Sequence, residues 1–382
     1  MDDFGKKTVV AAIAIVCLTI AIITSFSVGN IVYPIKSIIK NIENDNSYTQ
    51  NSAQNVQNDE FCVREVKSGT SGAVCIEQSS KRVLFEDGKD VLRYPASTTK
   101  IFTALIAIER LPLDKKVIVQ KYAEGVEGSS IYLKEGDEIT VEDLLYGLML
   151  RSGNDAANVL AMHVGGSIEG FVKMMNDKAA ALGCKNTHFA NVHGLDDPNH
   201  YTTARDLMTI TKHALTLPYF SEITSTTIYK VPATKKSEER TLRNTNNLMN
   251  KAYADYYSPY AVGIKTGSTD NAGRCVISKG TGNGYNYLCV IMNAPMQNID
   301  DDEPLENCAF VDCRRMFNWV FNHIELKSIA SPTQIITEVP LKLSFRTDHI
   351  SLVPGEEVLA LVPTGADAGS VLIEPVPETV PK

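Results

Sequence analysis

The chain has 382 residues, of which 44% are hydrophobic and 21% charged, a composition that supports a sizeable buried core and excludes disorder as its general state. Its formal net charge is -8, and no stretch is rich in Lys and Arg. Nucleic acid is thereby excluded as a partner, because phosphate binding rests on clustered cations.

Residues 1–30 carry one strongly apolar run, Thr8 to Ile23, with Lys6 and Lys7 before it and Thr24-Ser25-Phe26-Ser27-Val28-Gly29-Asn30 after it. Extended through Val28, the run reaches about the 20 residues that span a bilayer, which favours a retained membrane anchor. Ser25-Phe26-Ser27 also fits a small-x-small cleavage site, so a cleaved signal segment is the second reading. In both cases the lysines place the rest of the chain outside the cytoplasm. Cys17 is an apolar lining residue of this run rather than a lipid-attachment site.

Residues 31–60 begin with a short amphipathic piece, Ile31 to Lys40, and continue as an Asn-, Gln- and Ser-rich stretch to Glu60. This composition has little to bury and reads as a flexible polar stalk. The match Ser37-Ile38-Ile39-Lys40 within it shows how weak a serine-lysine spacing is by itself.

From residue 61 the pattern becomes globular. Ala73 to Ile76 and Arg82 to Phe85 are apolar runs around the polar turn Glu77 to Lys81, which predicts a β-hairpin. The period then changes: Thr99 to Arg110 is apolar nearly all round, as in a helix buried in a large domain. Ser97-Thr98-Thr99-Lys100 therefore lies at a helix start, where unpaired N–H groups and the positive dipole end favour a nucleophile, and a three-residue offset stacks Ser97 with Lys100. By itself Ser97 reads better as an ordinary N-cap after Pro95, and only the other two motifs favour the nucleophile.

Thr140-Val141-Glu142-Asp143 is a capping-box-like start for an apolar helix to Leu150. Ser152-Gly153-Asn154 then breaks the helical pattern, which resumes at Asp155, so its side chains project from a loop held at both ends. Farther on, Ala261 to Ile264 lead as a strand into Lys265-Thr266-Gly267-Ser268, where the glycine permits close approach to the backbone and the lysine supplies positive charge. Each motif alone is an ordinary turn, cap or strand lysine. All three, in this order and on these elements, form the signature of an acyl-transfer site with a serine nucleophile.

Of eight cysteines, Cys17 lies in the apolar run, which leaves an odd seven beyond it. Arg274 to Lys279 and Asn286 to Met292 read as strands around Gly280-Thr281-Gly282-Asn283-Gly284. A turn centred on Gly282 sets Cys275 opposite Cys289, and similar counting sets Cys62 opposite Cys75. Both pairings compete with the reading of these residues as small buried hydrophobes.

With these motifs on the page, the chain resembles the D-alanyl-D-alanine carboxypeptidases, low-molecular-mass penicillin-binding proteins of the serine β-lactamase/transpeptidase-like superfamily. The likeness runs from about Ala73 to Val320. It includes Tyr94-Pro95-Ala96-Ser97-Thr98-Thr99-Lys100-Ile101, Phe189-Ala190-Asn191-Val192-His193-Gly194-Leu195, Thr202-Thr203-Ala204-Arg205-Asp206-Leu207, Asn244-Thr245-Asn246-Asn247-Leu248-Met249 and Gly263-Ile264-Lys265-Thr266-Gly267.

The resemblance implies an α/β fold, a sheet flanked by helices, for residues 61–324. It also implies the roles in a serine-type hydrolysis of the terminal D-Ala-D-Ala bond of peptidoglycan stem peptides. Ser97 is the expected nucleophile, Lys100 the general base and Ser152 the proton relay. Asn154, Lys265 and Thr266 are the expected substrate-binding residues, with Gly267 on the same strand and an oxyanion hole from the N–H groups of Ser97 and Ser268. No cofactor is implied, and β-lactams are the expected covalent inhibitors. His193, Asp196, Asp197 and His200 have the look of a metal-ligand cluster, but they fall in the family's own His-Gly-Leu segment, where no metal is implied.

Residues 325–382 are Val- and Pro-rich with alternating stretches such as Leu341 to Phe345 and Glu357 to Leu361, the pattern of a small β-rich C-terminal domain. The family often ends in an amphipathic anchor helix, for which the N-terminal run is the expected substitute. Two rival functions stay open. A class A β-lactamase would need a deacylating Glu followed by Leu-Asn, and none stands between Gly165 and His200. A β-lactam-sensing binding protein would keep the pocket without turnover.

Overall fold

The computed structural model of the chain describes residues 72–78, 83–296, 307–340 and 349–367. The expected anchor, the stalk and Cys62 lie outside the described residues, and with Cys62 its expected pairing to Cys75. Among the described residues no helix is long and apolar enough to cross a membrane.

Strands β1 (Gly72–Glu77) and β2 (Val83–Asp87) form the hairpin expected from the two apolar runs. A 3-10 turn, Ala96–Thr99, feeds into α1 (Lys100–Arg110), in which Lys100 through Ala107 are all buried. The short pair β3 (Lys116–Ile118) and β4 (Glu138–Thr140) leads to α2 (Val141–Leu150). Thr140 fixes the start of α2: its hydroxyl accepts from Asp143 N at 3.0 Å and donates to the Asp143 carboxylate at 2.6 Å. One of the N–H groups that every helix start leaves free is thereby satisfied.

Helices α3 (Asn154–Gly165), α4 (Ile168–Ala181), α5 (Ala204–Ala214) and α6 (Pro218–Ser225) follow, the second and third capped by Ser167 and Thr203. A hairpin of β5 (Ile228–Val231) and β6 (Arg240–Arg243) comes next. Then come β7 (Ala261–Thr269), β8 (Gly273–Gly282), β9 (Tyr285–Ala294) and α7 (Cys308–His323). The last three strands join the first hairpin in a five-stranded antiparallel sheet of order β2-β1-β9-β8-β7, with β7 at one edge. Helix α5 packs on β1 and β9, and α7 presses Phe317 and Phe321 onto Gly280 and Gly282 of β8. A sheet flanked by helices is thus the architecture of this part of the chain.

The β8–β9 register corrects the expected cysteine pairing. The turn is the two-residue Asn283-Gly284, both at positive φ (51° and 85°), the backbone that suits a tight hairpin. Gly282 faces Tyr285 and Ser278 faces Cys289, so Cys275 is not opposite Cys289. Both thiols are free and buried. Gly280 and Gly282 belong to the strand because the Phe317 and Phe321 rings leave no room: a β-carbon at Gly280 would stand 2.7 Å from the Phe317 ring. Cys75, for its part, faces Phe85 on one side and Cys289 on the other.

The chain divides into two compact units. One holds the elements above as far as Asn322. The described part of the other begins at His323 and contains β10 (Ile324–Ala330), β11 (Thr337–Pro340), β12 (His349–Leu352) and β13 (Val358–Pro363). There β10 pairs with β13 and β11 with β12. Ile329, Ala360 and Val362 supply a small apolar cluster.

Candidate active site

Ser97 is not the N-cap that its position suggested. It lies inside the 3-10 turn, where no side chain caps the helix, because its Oγ is turned to Lys100 Nζ, 3.0 Å away. A 3-10 turn eclipses residues three apart, which brings these two side chains together more directly than an α-turn would. Ala96, just before Ser97, holds a left-handed φ of 48°. Gly194 explains how that conformation is accommodated: at φ 92° it lies on the Ala96 carbonyl so closely that a β-carbon there would overlap the oxygen.

Lys100 is fully buried and its Nζ donates to the His193 carbonyl at 2.6 Å. Burial holds its pKa well below the ordinary lysine value, and the charge of Lys265 adds to the shift, while Asp155 pulls the other way. A lysine whose charged form is disfavoured in this way is suited to take a proton from a neighbouring hydroxyl.

The Ser152-Gly153-Asn154 break falls between α2 and α3, as expected from the interrupted helical pattern. Ser152 sits at a left-handed φ of 62°, and its buried Oγ has no hydrogen-bond partner among the described residues. Asn154 gives Nδ2 to the Glu127 carbonyl at 2.6 Å, whereas its buried Oδ1 is also without a partner. Two buried polar atoms without partners, two residues apart in sequence, are costly in a resting protein.

Lys265, Thr266, Gly267 and Ser268 occupy the second half of β7, inside the strand rather than at its end. A β-carbon at Gly267 would stand 2.8 Å from Ser97 N, so this edge strand lies directly against the turn bearing Ser97. Lys265 is buried, which pushes its pKa down to about 7, and its Nζ donates to the Thr266 carbonyl at 2.8 Å. Ser268 is exposed.

The four residues that resembled a metal-ligand set are engaged separately. Asp196 accepts from Thr269 Oγ1 at 2.6 Å, His193 Nδ1 accepts from Leu195 N, and Asp197 Oδ1 from Asn199 N. His200 is buried between Thr99 and the backbone of Ala190 and Asn191. Burial, with Lys100 nearby, lowers the His193 pKa to about 4.

Three participants escaped the sequence reading. Asp155, 1% exposed, accepts from Ser130 Oγ at 2.6 Å and from the N–H groups of Ile131 and Leu133, and so pins the segment 128–133 beside Asn154. Its place in the first turn of a helix gives it an ordinary dipole reading that hides this role. Thr245 shares a hydroxyl contact of 2.7 Å with Thr266. The third is the His193 carbonyl, a backbone atom that no side-chain motif reveals.

Residues 52–296 match the D-alanyl-D-alanine carboxypeptidase family of peptidases. The chain is 31% identical over 313 residues to the D-alanyl-D-alanine carboxypeptidase DacF of Bacillus subtilis, covering 80% of this chain and 76% of that protein. Its structure is similar to that of the Streptomyces K15 DD-transpeptidase, with a TM-score of 0.58 and 31% identity over 65% of this chain and 96% of the other. The D-alanyl-D-alanine carboxypeptidase of Mycobacterium tuberculosis gives a TM-score of 0.58 at 30% identity, covering 65% of this chain and 90% of that one.

Proposed function

The chain belongs to the D-alanyl-D-alanine carboxypeptidase family of serine peptidases, and on that premise we propose that it removes the terminal D-alanine from peptidoglycan stem peptides through an acyl-enzyme on Ser97. The observation that carries this reading is the contact of Ser97 Oγ with the desolvated Lys100, with Lys265 close enough to act on the Lys100 charge and Gly267 against the Ser97 backbone.

The chemistry follows from the placement of these groups. Neutral Lys100 takes the Ser97 proton as Oγ bonds to the carbonyl carbon between the two D-alanines. The developing oxyanion is held by the N–H groups of Ser97 and Ser268, at the edge of β7. Collapse breaks the C–N bond, and the proton passes from Lys100 through the Ser152 hydroxyl to the departing amine. Water then attacks the ester with Lys100 again as base, releasing the shortened peptide and restoring Ser97.

Asn154 Oδ1 accepts from a substrate amide. The terminal carboxylate is bound by Lys265 and Thr266, and its negative charge draws the Lys265 pKa back up, so that the pair forms as charged partners. A β-lactam presents a strained amide to the same atoms and leaves Ser97 acylated. The apolar run Thr8 to Ile23, with Lys6 and Lys7 before it, supports an activity outside the cytoplasm, at the outer face of the bacterial membrane if the run is retained and secreted if it is cleaved.

The test is D-alanine release from a diacyl-Lys-D-Ala-D-Ala peptide beside a Ser97→Ala control. Release that depends on Ser97 supports the reading. Acylation by penicillin without release points instead to a transferase that needs an amine acceptor, or to a β-lactam sensor.

A further inference from the structure

His200, a member of the 193–200 cluster that the proposed chemistry does not use, is nearly inaccessible, at 1% exposure. Its Nδ1 faces two backbone donors, Ala190 N at 3.0 Å and Asn191 N at 3.3 Å, and its Nε2 lies 2.8 Å from Thr99 Oγ1. Two N–H groups directed at Nδ1 require that nitrogen to be unprotonated, so the proton is on Nε2 and is donated to Thr99. The Thr99 hydroxyl in turn donates to the Ala96 carbonyl at 2.8 Å. That carbonyl is the one covered by Gly194, in the left-handed residue that precedes Ser97.

The segment bound by His200 Nδ1 continues into the atoms that touch the catalytic helix. Val192 O accepts from Thr103 Oγ1 at 2.6 Å and His193 O accepts from Lys100 Nζ at 2.6 Å. His200 thus joins two pieces of chain, residues 190–195 and the Ala96–Thr99 turn, whose separation sets the distance from Lys100 to His193 and to Ser97. Its ring also approaches Phe189 edge-on, with ring centroids 5.6 Å apart.

We propose that His200 is a positioning residue for acylation: as the neutral Nε2–H tautomer it clamps the 190–195 loop to the turn carrying Ser97, and so keeps the His193 carbonyl on Lys100 and water away from it. This rests on the reading of Ser97 and Lys100 as nucleophile and base given above. Burial pushes the His200 pKa down to about 3, in keeping with a ring that stays neutral throughout the working range. The charged and titratable groups facing His200 are His193, Asp197, His188 and Lys100. Those facing Lys100 are Lys265 and Asp155, with His193 beside it.

The experiment uses the full-length chain and three variants, His200→Leu, His200→Gln and Thr99→Val, and follows the rate of Ser97 acylation by a fluorescent penicillin from pH 5 to 10, with a thermal melt of each. Leu fills the space without polar atoms, whereas Gln can accept from the loop and donate to Thr99. Expected for His200→Leu is a loss approaching about 100-fold, the scale of an ångström of misplacement at a reacting group. Its acid limb moves to higher pH, because water reaching Lys100 restores part of its ordinary basicity. His200→Gln recovers most of the rate and the wild-type limb, and Thr99→Val moves the limb in the same direction as His200→Leu.

A His200→Leu protein that melts cooperatively, acylates at the wild-type rate and keeps its acid limb overturns the proposal. If that variant fails to fold, Thr99→Val decides, and an unmoved limb there overturns it equally. A wild-type chain that is not acylated at Ser97 at all defeats the underlying functional reading instead, so the two failures are distinguishable.

Discussion

Gly194 rests on the carbonyl of Ala96, two residues that are 98 positions apart and in contact so close that no β-carbon fits between them. Both have positive φ, 92° for Gly194 and 48° for Ala96. The loop that supplies the His193 carbonyl and the turn that presents Ser97 are shaped against each other at this point. Gly194→Ala is expected to destabilise the protein by at least about 3 kcal/mol, combining left-handed strain with backbone overlap. Denaturant unfolding measures that loss, and penicillin labelling of the folded fraction is expected to be slowed at Ser97.

Lys265 makes stability depend on pH in a direction opposite to that of a salt-bridged lysine. Its folded pKa is near 7, below the ordinary value of an unfolded chain, so between these pH values the unfolded state holds one more proton. Stability contributed through this group therefore rises as pH increases from about 7 toward 10 and is lost as pH falls back, by at most about 1.4 kcal/mol for each pH unit. Lys265→Met removes this dependence. The unfolding free energy of the wild type minus that of the variant should rise steadily from pH 7 to pH 9; a constant difference contradicts the assignment of a depressed pKa.

Asp155 affects Lys100 through charge and the cleft wall through hydrogen bonds. Its carboxylate raises the Lys100 pKa, so Asp155→Asn is expected to lower it further and shift the acid limb of acylation to lower pH. The amide also sets N–H donors against the N–H groups of Ile131 and Leu133, at a cost of about 1–3 kcal/mol. A pH–rate profile combined with a melt separates the two effects. An acid limb that moves to higher pH would contradict the electrostatic part.

Cys275 is expected to behave as a small buried side chain. Cys275→Ala should cost about 1 kcal/mol, with the same value in the presence and absence of reductant. A loss of about 2–5 kcal/mol that appears only under oxidising conditions would be the mark of a disulfide.

The parts of this site that were legible in the sequence are those fixed by local spacing. The Ser97 to Lys100 offset, the Thr140 cap and the helix break at Ser152 to Asn154 depend on neighbours within one turn, and they stand where the pattern placed them. The strand through Lys265 was legible from its apolar lead. Register and clamps were not, because they are set by distant partners. Gly280 and Gly282 look like turn residues until Phe317 and Phe321 are seen lying on them. His200 looks like a metal ligand until its ring is seen joining Thr99 to Ala190. Asp155 looks like a helix-dipole residue until its carboxylate is found accepting from Ser130 and Leu133.

The central claim is that Ser97, activated by Lys100, attacks the bond between two D-alanines. Its most direct test is D-alanine release by the full-length chain from diacyl-Lys-D-Ala-D-Ala, measured beside Ser97→Ala. The account predicts sustained turnover that disappears in the variant, together with penicillin attached to Ser97 in the wild type alone. Release that persists in Ser97→Ala, or penicillin found on another residue, would contradict it.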